Sequence, residues 1–104
     1  MTLEDRKKAF ENKYAHDAEL NFKIQARRNR LLGLWAALKM GLTNGDAESY
    51  AKDVVASDFD RPGDEDVFEK VWADLSRVAL DVSQEELREQ MNSLLLEAKK
   101  QLLS

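Results

Sequence analysis

Four groups of residues in this chain have side chains suited to chemistry, and each points to a different kind. His16-Asp17 pairs residue types found in metal-dependent phosphohydrolases, but such sites need several histidines and the chain has one. We therefore read His16 as a surface or helix-boundary residue. Asp58 to Glu69, counted as a twelve-residue calcium loop, places Asp58, Asp60, Gly63, Asp66 and Glu69 at the first, third, sixth, ninth and twelfth positions. Pro62 offers no side-chain ligand at the fifth, and Glu65 stands where an apolar residue is usual, so the acids are better read as charges matched to a helix start. Arg27-Arg28-Asn29-Arg30 could clasp phosphate, because guanidinium groups pair bidentately with its oxygens. No glycine-rich phosphate loop accompanies the cluster, and the chain is acidic overall, so a solvated or salt-bridged helix face is the simpler reading and a nucleotide site the rival. Trp35 and Trp72 each lie in a helical apolar stripe and read as core.

None of these groups is a catalytic constellation: the sequence holds no nucleophile motif, no metal-ligand cluster and no Walker sequence. With no cysteine in 104 residues, disulfides, thiolate zinc sites and cysteine nucleophiles are excluded. A binding protein is the class that remains. The opening Met1-Thr2-Leu3-Glu4-Asp5-Arg6-Lys7-Lys8 is charged where a signal peptide is apolar, and no apolar run approaches the ~20 residues that span a bilayer. We expect neither secretion nor membrane insertion. The net charge of −4 is unevenly spread. Residues 1–30 carry eight Lys/Arg against five Asp/Glu, and residues 31–104 carry eight against fifteen. Such a split means that the basic front end either folds back on the acidic body or reaches for an acidic partner.

One proline, few glycines and many Ala, Leu, Glu, Lys and Arg favour helices almost throughout, and the expected fold is an all-α four-helix bundle. Leu20, Ile24, Leu31, Leu34, Trp35 and Leu38 fall on one helical stripe, with Arg27 near its centre, which predicts a helix over about 19–41 with Gly41 as its C-cap glycine. Thr43-Asn44-Gly45-Asp46 supplies a turn with Asp46 as N-cap, so the second helix is expected over 46–59, with Ala47, Tyr50, Ala51, Val54, Val55 and Phe59 inward. Arg61-Pro62-Gly63 breaks the pattern before a third helix over 64–80, whose inner positions are Val67, Phe68, Val71, Trp72, Leu75, Val78 and Ala79. Ser83-Gln84-Glu85-Glu86 is a capping box, with Val82 and Leu87 placed as a hydrophobic staple, and predicts the last helix over 84–102. Leu87, Met91, Leu94, Leu95, Ala98 and Leu102 form its stripe.

The front end follows a different register. Were residues 3–38 one straight helix with Leu20 at zero, Leu3, Phe10 and Tyr14 would sit at about 100°, about 80° and about 120°, while the later stripe centres at about 20°. Two apolar faces pointing apart mean either one helix bent over different neighbours or a separate amphipathic segment made for another protein. We take the second reading and divide the chain into residues 1–18, a segment flexible when free, and 19–104, the four-helix domain. A stripe of three residues interrupted by Lys7 holds a helix weakly, and the segment could fold on binding.

The run Asp5-Arg6-Lys7-Lys8-Ala9-Phe10-Glu11-Asn12-Lys13-Tyr14-Ala15-His16-Asp17, followed by Ala26-Arg27-Arg28-Asn29-Arg30-Leu31-Leu32-Gly33-Leu34-Trp35-Ala36-Ala37, resembles the ζ subunit of alphaproteobacterial F-type ATP synthase. Asp58-Phe59-Asp60-Arg61-Pro62-Gly63-Asp64 resembles its junction between second and third helices, and the likeness spans essentially the whole chain. The resemblance implies a cytoplasmic protein without catalysis of its own. It would sit at the inner face of the bacterial inner membrane when bound to F1, and would be monomeric when free, with no nucleic-acid partner and no direct membrane insertion. Its implied task is to inhibit ATP hydrolysis by the F1 sector, with the N-terminal segment lodged in a catalytic α/β interface beside the γ shaft and the helical body docked outside. Carried over by position, the inhibitory segment contains Thr2, Leu3, Arg6, Lys7, Lys8, Phe10, Glu11, Lys13 and Tyr14. Leu3, Phe10 and Tyr14 would supply its buried face, and Arg6, Lys7, Lys8 and Lys13 would meet acids on the rotor or β subunit. No obligate cofactor is implied, but some relatives bind ATP or ADP weakly, for which Arg27, Arg28 and Arg30 are the candidate contacts. The alternatives are an adenine-nucleotide-binding regulatory helical protein and a calcium-binding module.

Overall fold

The computed structural model describes the backbone of residues 3–60, 64–78 and 81–103, and the side chains of 17–58, 64–78 and 81–103. Four helices follow in order: α1 Leu3–Lys39, α2 Asn44–Asp60, α3 Asp64–Val78 and α4 Gln84–Leu103. Among the described residues there is no strand. The expected all-α four-helix bundle is the fold found.

The helix ends follow from local chemistry. The first helix closes in a Schellman arrangement: Leu42 N–H donates to the Ala37 carbonyl at 2.8 Å, Gly41 N–H donates to that of Leu38 at 3.1 Å, and Gly41 takes φ +81°. Without a Cβ it adopts that left-handed conformation at no steric cost. At the start of α4, Glu86 N–H donates to Ser83 Oγ at 3.0 Å, and Val82 and Leu87 are both buried, as the capping box and staple require. The start of α2 differs from expectation. The Thr43 carbonyl accepts from Asp46 N–H at 3.1 Å and Ala47 N–H at 3.4 Å, so the helix opens at Asn44. Asp46 is a first-turn acid facing the positive end of the helix, and the cap position falls three residues earlier, at Thr43. The acids Asp64, Glu65 and Asp66 occupy the first turn of α3 as their charge requires. The break expected at Arg61-Pro62-Gly63, and the inner positions Phe59 and Ala79, lie outside the described residues.

The core gathers Leu32 and Ala36 of α1, Val54 of α2, Val67, Phe68, Val71 and Leu75 of α3, then Val82, Leu87 and Met91, with Trp35 and Trp72 half-buried against it. The inner face of α1 is not the stripe that bulky residues suggest. Leu38 is 73% exposed, whereas Arg28, Asn29, Leu32, Gly33, Ala36 and Ala37 are buried. The reason is close helix approach. A Cβ built on Gly33 would lie 2.6 Å from the Ala51 Cα and 3.3 Å from Val54 Cγ2, so α1 and α2 cross nearly backbone to backbone. Small residues therefore line the seam on both sides: Gly33, Ala36 and Ala37 on α1, Ala47 and Ala51 on α2.

The helical backbone of α1 is continuous through the segment expected to stand apart. At 1.5 Å per residue, 37 residues make a rod roughly 55 Å long. The molecule measures 61 × 25 × 23 Å, so this rod sets its long dimension. Among its described side chains, which begin at Asp17, Ile24 is the first fully buried one, and Asp17, Ala18 and Glu19 are all exposed. The helix thus runs well past the bundle on its N-terminal side.

Gly33→Ala tests the crossing. Helix propensity alone would favour alanine by about 1 kcal/mol, but a Cβ against backbone forces the helices apart, and overpacking costs typically about 1–3 kcal/mol. Urea denaturation is expected to show net destabilisation; a midpoint equal to or above that of the parent would mean the helices do not meet here.

Candidate functional site

The arginine run was the chief candidate for chemistry, and its residues diverge in the fold. At successive helical positions, about 100° apart, neighbouring side chains cannot share a face. Arg27 is exposed and donates through Nη1 to Gln101 Oε1 of α4 at 3.0 Å. Arg30 grips Glu48 of α2, its Nη2 reaching the two carboxylate oxygens at 3.1 and 3.0 Å, with both side chains about half exposed. Arg28 turns inward and is 1% exposed. The three guanidinium groups therefore address three different partners.

Arg28 anchors the most constrained polar cluster in the protein. Its Nε donates to Asn29 Oδ1 at 2.7 Å and its Nη2 to Asp64 Oδ1 at 2.8 Å, while Asn29 Nδ2 donates to Asp58 Oδ2 at 3.2 Å. One pair on α1 thereby holds the end of α2 and the beginning of α3. Asp58 and Asp64, members of the expected calcium loop, are engaged with α1, and helix runs through Asp60 and resumes at Asp64. An EF-hand needs twelve residues of loop, and this segment is mostly helix. Among the described residues, no group of three or more acidic or imidazole side chains is placed to hold a metal.

Sequence reasoning placed Arg27 near the inner stripe and missed Arg28 and Asn29 as interior residues. A usable signal was present: Asn29, Gly33 and Ala37, and Arg28, Leu32 and Ala36, recur at four-residue spacing, which is the small-residue seam itself. The electrical lopsidedness is also accounted for in part. Arg28, Arg30 and Lys39 pair with Asp64, Glu48 and Glu86, so α1 folds its positive charge onto the acidic body.

A second cluster surrounds Asp74. Tyr50 Oη donates to its Oδ2 at 2.8 Å, Lys70 Nζ lies at 3.1 Å and 5.4 Å above the Tyr50 ring, and Arg77 bonds Oδ1. Burial by itself would push the Asp74 carboxyl up, but the bonds from Tyr50, Lys70 and Arg77 outweigh it and hold it below the usual range. Burial and the same bond to Asp74 push the Tyr50 phenol up, so it stays a neutral donor. Together with Met40, Leu42 and Val78 these groups border a cleft of about 470 Å³. On the far side of α3, Arg88 stacks 3.9 Å from the Phe68 ring centroid and binds Glu65 at 2.9 and 3.2 Å, which holds that carboxyl low.

The segment residues Thr2, Leu3, Arg6, Lys7, Lys8, Phe10, Glu11, Lys13 and Tyr14 belong to the projecting end of α1 or precede it, and their side chains lie outside the described residues. The same holds for His16. Among the described residues, no helix is long and apolar enough to cross a membrane.

Four helices joined by charge pairs, the first much longer than the others, define an all-helical bundle protein. The family model described as ATPase inhibitor subunit zeta matches residues 1–101, and the chain belongs to that family. It is also similar to a protein whose structure was solved in solution by NMR, with 40% identity, a TM-score of 0.72, and coverage of 81% of this chain and 95% of that one. No curated protein matches.

Two outcomes check this geometry. Asp64→Ala removes the carboxylate paired with buried Arg28 and should cost roughly 1–3 kcal/mol, because a buried charge loses its counterion while some solvent remains within reach; Glu48→Ala breaks an exposed pair and should change stability by less than about 0.5 kcal/mol. Equal losses in thermal denaturation would contradict the different burial of the two pairs. Asp74 has a folded-state value below its unfolded one, so its contribution is complete above about pH 4 and is lost as pH falls through the folded value. Asp74→Asn is accordingly expected to flatten the loss of stability between about pH 5 and pH 2, measured as urea midpoint against pH.

Proposed function

We propose that this chain inhibits ATP hydrolysis by the F1 sector of ATP synthase, inserting the N-terminal part of α1 into a catalytic interface between α and β subunits next to γ. What carries the reading is the form of α1 taken with the family: one helix begins at Leu3, and among its described side chains, which begin at Asp17, the first fully buried one is Ile24. Residues 3–17 contribute about 22 Å of helix, enough to reach into a subunit interface while the body stays outside.

In this reading Leu3, Phe10 and Tyr14 face apolar walls in the interface, and Thr2, Arg6, Lys7, Lys8, Glu11 and Lys13 make the polar contacts. Hydrolysis stops for a mechanical reason. A catalytic interface must close and reopen in each cycle, and a helix wedged there holds it in one state without touching the reacting atoms. The chain needs no cofactor for this, and it works as a regulatory subunit in the cytoplasm on the inner face of the membrane. Nucleotide binding at Arg27, Arg28 and Arg30 is a weaker reading, because these side chains diverge toward Gln101, Asp64 and Glu48.

Removal of residues 1–17 is expected to abolish inhibition of ATP hydrolysis by purified F1, with circular dichroism confirming that the remaining helices are folded. The full-length variant Leu3→Asp/Phe10→Asp should lose most inhibition as well, since charges on the buried face must be desolvated on insertion. Undiminished inhibition by both proteins would rule out the wedge.

A further inference from the structure

Where α1 leaves the bundle, it forms a groove of about 370 Å³ with the ends of α2 and α4. Its floor is apolar, made of Phe22, Ala26, Val55 and Leu102, and Phe22 is 55% exposed. Its rim carries Lys23, Arg27 and Arg30, and no carboxylate lines it among the described residues. Those cations are loosely held. Lys23 reaches Glu19 at 3.4 Å with both side chains mostly exposed, Arg30 meets an exposed Glu48, and Arg27 is bonded to a neutral amide, Gln101. Exposed pairs of this kind exchange readily for a better placed acid. The Arg28 guanidinium, in contrast, is sealed inside and takes no part.

From this complementarity we infer that the groove docks an acidic amphipathic helix, whose apolar side chains rest on the floor while its Asp and Glu side chains bind the three cations. Helix-in-groove recognition of this kind uses apolar anchors at helical spacing for affinity and flanking charges for orientation. Assigning that helix to the inhibited ATPase rests on the proposed function; the chemistry of the groove does not. Position favours the assignment, because Lys23 lies only about 9 Å along α1 from Asp17. A partner held in the groove would have the projecting rod aimed into it, so the groove fixes affinity and the rod performs the block.

The test uses the full-length chain and a synthetic helical peptide with leucines at i, i+3, i+4 and i+7 and glutamates on their flanks, compared with a peptide carrying lysine for glutamate. The acidic peptide should perturb amide signals across residues 22–30, at Val55 and at Leu102, weaken with added salt, and lose binding to Lys23→Glu/Arg27→Glu; the lysine peptide should leave them unmoved. In hydrolysis assays the same double variant should raise the half-inhibitory concentration about tenfold with maximal inhibition unchanged. The inference is overturned if the acidic peptide moves no groove signal or binds the double variant equally. It is also overturned if ATP produces the same shifts and displaces the peptide, or if sedimentation shows a second copy of the chain occupying the surface. Should the peptide bind as expected while the parent chain fails to inhibit F1, the groove stands and the proposed function falls.

Discussion

The guanidinium of Arg28, taken out of water about two-thirds of the way along α1, is the constraint around which the fold is arranged. A charge in that position must be compensated by a counterion and by hydrogen bonds, or its burial cost exceeds anything the site returns. Asp64 and Asn29 meet the requirement, and Asn29 in turn engages Asp58. Because Asp58 closes α2 and Asp64 opens α3, satisfying one buried charge fixes both ends of that connection against α1. A bundle of amphipathic helices can pack in several rotations and orders; a polar contact with one acceptable geometry selects among them.

The close crossing at Gly33 serves the same end. Leu32, Ala36 and Val54 are completely buried beside it, and a helix pair at that distance leaves no room for a rotated alternative. Packing and polar clamp thus lie on adjacent faces of one helix, four residues apart. Dispersion contacts across small residues supply the attraction, and the clamp supplies the register. The Tyr50 and Asp74 cluster repeats the pattern between α2 and α3, where a neutral phenol and two cations satisfy one carboxylate and tie the two helices together.

Helix boundaries set by local chemistry were legible in the sequence, because Gly41 and the Ser83 capping box act through atoms only a few residues away. Most core positions of α3 were legible too, since Val67, Phe68, Val71 and Leu75 are bulky and recur at helical spacing, but Val78, expected inward on the same count, is 60% exposed in the last turn of the helix. The inner face of α1 was not. Counting bulky apolar residues assigns the interior to Leu34, Trp35 and Leu38, whereas the seam is made of glycine, alanine and a compensated arginine, whose counterion Asp64 lies 36 positions away. Hydrophobic periodicity cannot register an arginine whose counterion lies on another helix. The arginine cluster suffered in the same way: consecutive cations look like one site in a string of letters, yet the helix turns Arg28 inward and leaves Arg27 and Arg30 exposed.

The continuity of α1 joins these observations to the chain's action. Among the described side chains of α1, burial begins at Leu20 and is deep at Ile24, and the N-terminal half of its backbone continues the same helix. As an extension of a helix whose other half is clamped at Arg28 and Gly33, its direction is set by the bundle. The residues that specify the fold are therefore also those that set the direction of α1, and a substitution at the Gly33 crossing would change the angle at which that helix leaves the body.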